Sequence, residues 1–355
     1  IRDLVIHEND LVVGTHGRSF WILDDISPLR QWTARTAEAD AVLFAPASAY
    51  LVKRSVATDT PLPPDEPTSP NPPDGAVIDY HLKQAAQGPV TLEIVDAKNT
   101  LVRRFASTDA EVPVDPKTLE IDPRWIRPAR PLSAAAGAHR FVWDLHYTPL
   151  ERTSRNYPIS AVYGDTPPNP TSPAVLPGRY TVRLTVGGTV LEKPLTIKVD
   201  PRITTDAAGL EQRFALSMQC YEGVREVQAT TLRIRSIVKQ LENIRGKAGD
   251  LTKTIDAIEE RLTGLEGQSA GGRRGGQQKR DASLSQVSGE LSRLLALVQA
   301  ADATPTTQAA ASVAAAVKEL EMLLSKWKDI AEKELGDLNR QLKAADLPVV
   351  DIKGK

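Results

Sequence analysis

Asp24 and Asp25, two adjacent carboxylates, are the first residues whose type suggests chemistry. A glycoside hydrolase needs two acids flanking one bond, roughly 5–9 Å apart. Neighbours on an extended chain point to opposite faces. The pair therefore cannot flank one bond without a bulge, and Asp-Asp after an aromatic strand reads as a turn or cap. Asp144 and Asp165 stand alone in the sequence. The five histidines, His7, His16, His81, His139 and His146, show no metal-ligand spacing such as H-E-x-x-H. His16, within Gly14-Thr-His-Gly-Arg18, has two readings: a metal ligand or base, or, more commonly, a turn residue bonded to backbone. Arg18 beside those glycines resembles an anion grip but lacks the following helix whose N-terminal amides would complete it. No G-x-S-x-G elbow is present.

Exposed tryptophans stack on sugars. Trp143 and Trp327 fit core stripes, and Trp21 fits a short β-strand. Trp125, in Asp122-Pro-Arg-Trp-Ile-Arg-Pro128, serves either as a sugar platform or as the anchor of an irregular segment, and the anchor is the favoured reading. No catalytic, cofactor-binding or metal-binding residue is assigned. The residues left as candidates for ligand contact are His16, Arg18, Trp21 and Trp125.

The chain has 355 residues, a net charge of −1 and one cysteine. The length suggests two or three domains. Near-neutral charge argues against nucleic acid or an anionic membrane as the main partner. No apolar run reaches the ~18 residues that span a bilayer. Cys220 alone forms no internal disulfide and no cysteine-based metal site, and its helical surroundings predict an inert, partly buried thiol.

The elements that would position these residues change character at Val199-Asp-Pro-Arg202. Before it lie prolines and period-two alternation; after it lie heptads rich in Ala, Leu, Glu and Lys. The first stretch, with strands at residues 1–6, 10–14 and 19–24, cannot bury its apolar faces alone. It predicts upstream neighbours, and residue one is Ile rather than Met. Seven prolines between Pro61 and Pro73 predict an extended strap. Strands at Ala76–Leu82, Pro89–Asp96, Thr100–Ser107, His139–Leu145, Gly178–Val186 and Val190–Asp200 alternate as a β-sandwich does. Two proline-rich excursions, Asp109–Gly137 and Thr148–Pro177, interrupt them and read as surface straps.

Beyond Asp206, a plausible N-cap, the pattern predicts two long helices (Ala207–Arg245, and one from Val313 through Leu342) and two short ones carrying Leu251–Leu265 and Leu284–Val298. The short helices keep alternating four- and three-residue apolar spacing, the seam of a bundle. An up-down-up-down order would make them a hairpin, with Tyr221 near Trp327 and Phe214 near Leu335 or Leu338. The connection Gln268–Arg280 is glycine-rich and basic. It reads as a solvated loop rather than a nucleic-acid grip, because it lacks aromatics.

The segment Asp10-Leu-Val-Val-Gly-Thr-His-Gly-Arg-Ser-Phe-Trp-Ile-Leu-Asp-Asp25 resembles the closing strands of bacterial sortilin-like, BNR (Asp-box) β-propeller proteins, often labelled glycosyl hydrolase or sialidase-like. The stretches Pro70–Tyr80, Val90–Phe105, Gly137–Asp144 and Pro177–Val182 look like an Ig-type module related to the flagellar hook-capping family, and the end Leu338–Pro348 looks like the C-terminus of such chains. No complete Ser-x-Asp-x-Gly-x-Thr-Trp box occurs, so no sialidase residue carries over.

The resemblance implies a multidomain all-β plus all-α chain. Residues 1–30 would be a propeller-blade remnant, 31–74 a Pro-rich strap, 75–200 an Ig-like antiparallel β-sandwich, 204–346 an antiparallel helical bundle with two long and two short helices, and 347–355 a tail. It implies a periplasmic or extracellular location. The expected role is non-catalytic, with no cofactor, and with a protein partner or self-association through the helices. Neither nucleic-acid binding nor membrane insertion is expected. The alternatives are an accessory part of a glycoside hydrolase whose propeller, upstream, holds the active site and the glycan, and a carbohydrate-binding module.

Overall fold

The computed structural model describes residues 1–53, 72–110, 114, 116–151, 156–158, 163–267 and 282–352. Most of the Pro61–Pro73 run and all of Gln268–Arg280 lie outside the described residues. The chain contains both β-sheets and helices and divides into two compact units. One comprises Ile1–Pro149, Thr153–Pro170 and Ala174–Thr204, the other Leu150–Arg152, Thr171–Pro173 and Thr205–Lys355.

The first unit opens with an antiparallel meander, β1 (Asp3–His7), β2 (Asp10–Gly14) and β3 (Phe20–Leu23). Two short helices follow, α1 (Ser27–Arg30) and α2 (Ala34–Glu38), the second closed by a capping box between Thr33 and Thr36. Then come β4 (Ala41–Leu43), β5 (Ala49–Leu51), β6 (Ala76–Leu82), β7 (Thr91–Asp96), β8 (Leu101–Ala106), β9 (Gly137–Trp143), β10 (Gly178–Val186) and β11 (Thr189–Val199). They form a five-stranded sheet in the order β5-β11-β10-β7-β8 and a three-stranded sheet in the order β4-β6-β9.

Alternation sets which side chains go inward. In β6, Ile78, Tyr80 and Leu82 are buried while Val77, Asp79 and His81 are only partly covered. Phe141 and Trp143 from β9 join them, with Leu92, Ile94, Val182, Leu184, Leu195 and Ile197 from the larger sheet, in one apolar cluster. Each such buried aliphatic side chain contributes about 1.5–3 kcal/mol. Gly187 (φ +55°) and Gly188 (φ +83°) make the β10–β11 turn, where both central residues need positive φ.

Two features depart from the sequence reading. Residues 31–74 are not wholly strap: Ala41–Leu43 pairs antiparallel with β6, and Ala49–Leu51 pairs with β11. That second pairing is parallel, so the larger sheet is not purely antiparallel. Parallel neighbours need a long crossover, and the chain between β5 and β11 supplies it. The two proline-rich excursions also brace each other. Arg127 N donates to Thr166 O and Thr166 N to Trp125 O, both at 2.9 Å, and Ile126 bridges Thr166 in parallel.

The second unit holds α3 (Ala207–Arg245), α4 (Thr252–Glu266), α5 (Leu284–Val298), α6 (Thr307–Asp329) and α7 (Leu335–Ala344), with a π-helical turn at Ile330–Glu334 between the last two. Asp206 caps α3, its Oδ1 accepting from Gly209 N at 2.8 Å. The apolar seams of these helices make one cluster, including Ile234, Ile237, Leu241, Leu262, Leu291, Leu320 and Leu335.

Their order corrects the up-down-up-down expectation. α4 descends beside the far half of α3, since Arg245 pairs with Asp256 and Arg235 with Glu266. α5 continues the descent. Leu291 lies against Gly223, and beyond the helix end Asp302 reaches Arg213 while its carbonyl accepts from Thr205 Oγ1. The two short helices are thus successive pieces of one descending pass and not a hairpin. α6 then climbs parallel to α3, since a Cβ on Gly209 would meet Thr304 and one on Gly223 would meet Leu320. Leu320, rather than Trp327, is level with the Tyr221 turn; Trp327 lies about 10 Å further along the axis at 1.5 Å per residue.

The physical reason is length. Two 15-residue helices laid end to end cover the 39-residue α3, whereas side by side they would leave half its apolar stripe wet. The second long helix also departs from the continuous α-helix that its apolar spacing predicts, because a π turn interrupts it. Its wider turn resets the phase so that Ile330 and Leu335 both reach the core.

Candidate functional site

The β2–β3 turn holds His16 and Arg18, and Trp21 follows on β3. Thr15 Oγ1 donates to Ser19 O at 2.8 Å and accepts from Arg18 N at 3.1 Å, with Gly17 at φ +77° and Ser19 at φ +58°. The Trp21 indole donates to Arg18 O at 3.0 Å, folding the ring back along the turn. His16 and Arg18 are exposed. Trp125 is elsewhere: it is half-buried in a 3₁₀ turn capped by Asp122, and its backbone bonds tie one excursion to the other. Beside it the Arg124 side chain holds the Asp122 carboxyl down at about 2.

The paired acids form a joint. The amide of Asp25 (φ +52°) donates to Asp10 Oδ1 at 3.0 Å, and the Asp25 Oδ1 accepts from Ser27 N at 3.0 Å. The carbonyls of Asp24 and Asp25 accept from Arg140 Nη1 (2.7 Å) and Nη2 (2.9 Å), while the same guanidinium holds Asp79 through two bonds of 3.0 and 3.1 Å. Arg140 lies on β9, so it fastens the meander's exit to the three-stranded sheet. Sequence reasoning missed Arg140; its alternating place in β9 carried no sign that it reaches residues 115 and 116 positions away.

Asp144, Asp165, His139 and His146 are engaged in structural bonds. Asp165 and Asp74 share Arg127. Asp144 Oδ1 accepts from His146 N, the His146 ring contacts Asp144 O at 2.7 Å, and the His139 ring contacts Ala135 O at 2.7 Å. His81 meets the edge of Trp32 at 5.0 Å. Among the described residues no three His, Cys, Asp or Glu side chains are grouped to hold a metal ion. Cys220 is fully buried, and burial pushes its thiol up to about 11.

A groove in the helical unit is lined by Arg245, Glu259, Arg261, Lys326 and Asp329. Arg245 pairs with Asp256 and Glu259, Arg261 with Glu334, and Asp329 with Lys333. No helix among the described residues is long and apolar enough to cross a membrane.

The most conspicuous surface is the meander itself. Phe20 is 79% exposed, Trp21 65%, Ile22 60%, and Leu4, Val5 and Ile6 each just over half. Large exposed apolar residues of α3 to α7 are scattered: Leu232 on α3, Leu297 on α5 and Met322 on α6. The chain matches no protein-family model and no curated protein sequence at a significant level.

Proposed function

We propose that this chain is a non-catalytic structural and interaction region of an exported, periplasmic or extracellular β-propeller protein. On this reading β1–β3 belong to a propeller blade, the two sheets of the first unit form an Ig-like β-sandwich that braces it, and the helices form a bundle that binds a protein partner.

The observation that carries the reading is the meander's composition. Both of its faces are apolar and exposed, as in a sheet made to be covered on each side; soluble monomers rarely leave so much contiguous apolar surface to water. Propellers surround each inner sheet with neighbouring blades. The Ig-like element of the reading is supported by Trp143, wholly buried and edge-on to Tyr180 at 6.0 Å. The Tyr180 hydroxyl also donates to Leu176 O at 2.7 Å, a back-bond of the kind that pins the corner of such sandwiches. The bundle element is supported by the shared apolar seam of α3 to α7.

The test is the reading frame upstream of Ile1. Successive blade-length β-repeats in frame are expected. A frame that continues into helical or low-complexity sequence would overturn the proposal.

A further inference from the structure

After α7 the chain turns back on itself. Asp346 is left-handed (φ +58°), and the Leu347 amide donates to Leu342 O at 2.9 Å, a terminal turn that leads a chain out of a helix. The residues that follow, Leu347–Ile352, lie outside any helix or strand. One side chain from each of two helices brackets one residue of this segment. Asn339 on α7 takes Val350: its Oδ1 accepts from Val350 N at 2.7 Å and its Nδ2 donates to Val350 O at 2.9 Å. Gln240 on α3 takes the next residue: its Oε1 accepts from Asp351 N at 2.7 Å and its Nε2 donates to Asp351 O at 3.3 Å. The segment therefore runs back along α7 with α3 on its other side.

This geometry is strand recognition without a neighbouring strand. In an extended chain the N–H and C=O of one residue point to one side, and those of the next residue point to the other. The two carboxamides stand where two antiparallel neighbours would stand. Side chains alternate at right angles to those bonds. Val350 accordingly enters the apolar cluster of the helical unit, while Val349 and Asp351 face water. Leu347 and Ile352 pack half-buried against the same cluster. A carboxamide carries a donor and an acceptor side by side, whereas a carboxylate or a cation offers only one of the two. Asn is a weak helix former, so its place inside α7 is explained by these bonds and not by propensity.

Contacts of this kind read main chain; sequence is read only where a side chain enters the core. We infer that the groove between α3 and α7 is a peptide-binding site, filled in this structure by the chain's own Leu347–Ile352. Its ligand in trans is an extended peptide of a partner protein with apolar residues at its first, fourth and sixth positions, as in Leu347, Val350 and Ile352. Main-chain hydrogen bonds supply affinity and alternate pockets supply specificity, as when a peptide joins a sheet edge. The internal segment is tethered through Asp346, so its effective concentration is on the order of millimolar and it excludes weak ligands. The inference rests on the reading of the helices as a partner-binding bundle and names its groove and ligand chemistry. It is independent of β1–β3.

The probe is a capped, fluorophore-labelled peptide, Leu-Pro-Val-Val-Asp-Ile, titrated with the whole chain and followed by anisotropy. Val350→Asp in the chain should unseat its own segment, because an unpaired carboxylate is not tolerated in an apolar cluster. That variant should bind the probe at least ~10-fold more tightly than the wild type. Adding Asn339→Ala or Gln240→Ala should weaken binding ~10-fold each, the effect of two lost hydrogen bonds. Ala has the higher helix propensity, so a loss there is not helix melting, and circular dichroism at 222 nm verifies the fold. A probe with Asp at its fourth position should not bind. In the wild-type chain, excess probe should speed hydrogen exchange at the Val350 and Asp351 amides, a readout that needs no variant.

No saturation of the folded Val350→Asp chain up to millimolar probe would overturn the inference. So would binding indifferent to both Ala substitutions, or wild-type exchange at those two amides unchanged by excess probe. A wild-type dimer that Asn339→Ala dissociates would assign the groove to a second copy's segment and overturn it as well. Failure of probe binding leaves the upstream reading frame untouched, so the two failures are distinguishable.

Discussion

Removing the Asp302 carboxylate should destabilise the helical unit far more than removing its partner. Arg213 sits in the first turns of α3 with its side chain 6% exposed, and Asp302, just beyond α5, is 15% exposed. They form an ion pair, and among the described residues the Arg213 guanidinium otherwise reaches Ala301 O alone, at 3.4 Å. In Asp302→Ala the guanidinium stays buried with one long hydrogen bond. Breaking a buried pair in this way costs about 3–5 kcal/mol.

In Arg213→Met the apolar stem is replaced and the carboxylate, nearer the surface, can turn to water. The loss should then be about 1–2 kcal/mol, the scale of an unsatisfied but partly hydrated group. The double variant should recover to within about 1 kcal/mol of Arg213→Met, because no buried charge remains. Urea unfolding followed by circular dichroism at 222 nm reads this, since every helix longer than five residues lies in the helical unit. Equal losses below about 1 kcal/mol in both single variants would refute the reasoning, because they would place the pair in effective contact with solvent.

Two further outcomes follow from the first unit. Gly75→Ala should cost more than about 3 kcal/mol and is read by thermal unfolding, because a Cβ there would lie 2.1 Å from Trp143 O on backbone at φ +133°. Glycine alone starts β6 beside β9. The Asp200 carboxyl, held at about 2 by hydrogen bonds from the Arg202 side chain and backbone, should titrate well below an ordinary aspartate in carboxyl-detected NMR. Its folded value is depressed, so its contribution is fully present above the unfolded value of ~3.9 and is lost as pH falls from ~4 through ~2. Arg202→Gln should return the titration toward the ordinary value.

Local pattern determined much of this chain. Period-two alternation placed β6 and β10 residue for residue, and the heptads with Asp206 as cap placed α3 from Ala207 to Arg245. Both depend on neighbours a few positions away, which the sequence lists directly. The adjacent acids read as a turn or cap for the same reason, since strand geometry forbids them one common face, and the Asp25 side chain accepts from Ser27 N.

The tertiary structure decided what depends on distant partners. Ala49–Leu51 is an ordinary apolar triplet until β11 lies alongside it in parallel. Arg140 is an ordinary exposed-position arginine until the meander's exit brings two carbonyls to it. The two short helices have equal seams whether they pair or follow one another, and only the length of α3's apolar stripe selects succession. The meander's strands were legible, but the register that sorts ten apolar residues onto two opposite faces needed three strands in place. Covalent neighbours dictate periodicity; which surfaces meet is set by burial summed over the whole chain, and that sum exists only in the folded molecule.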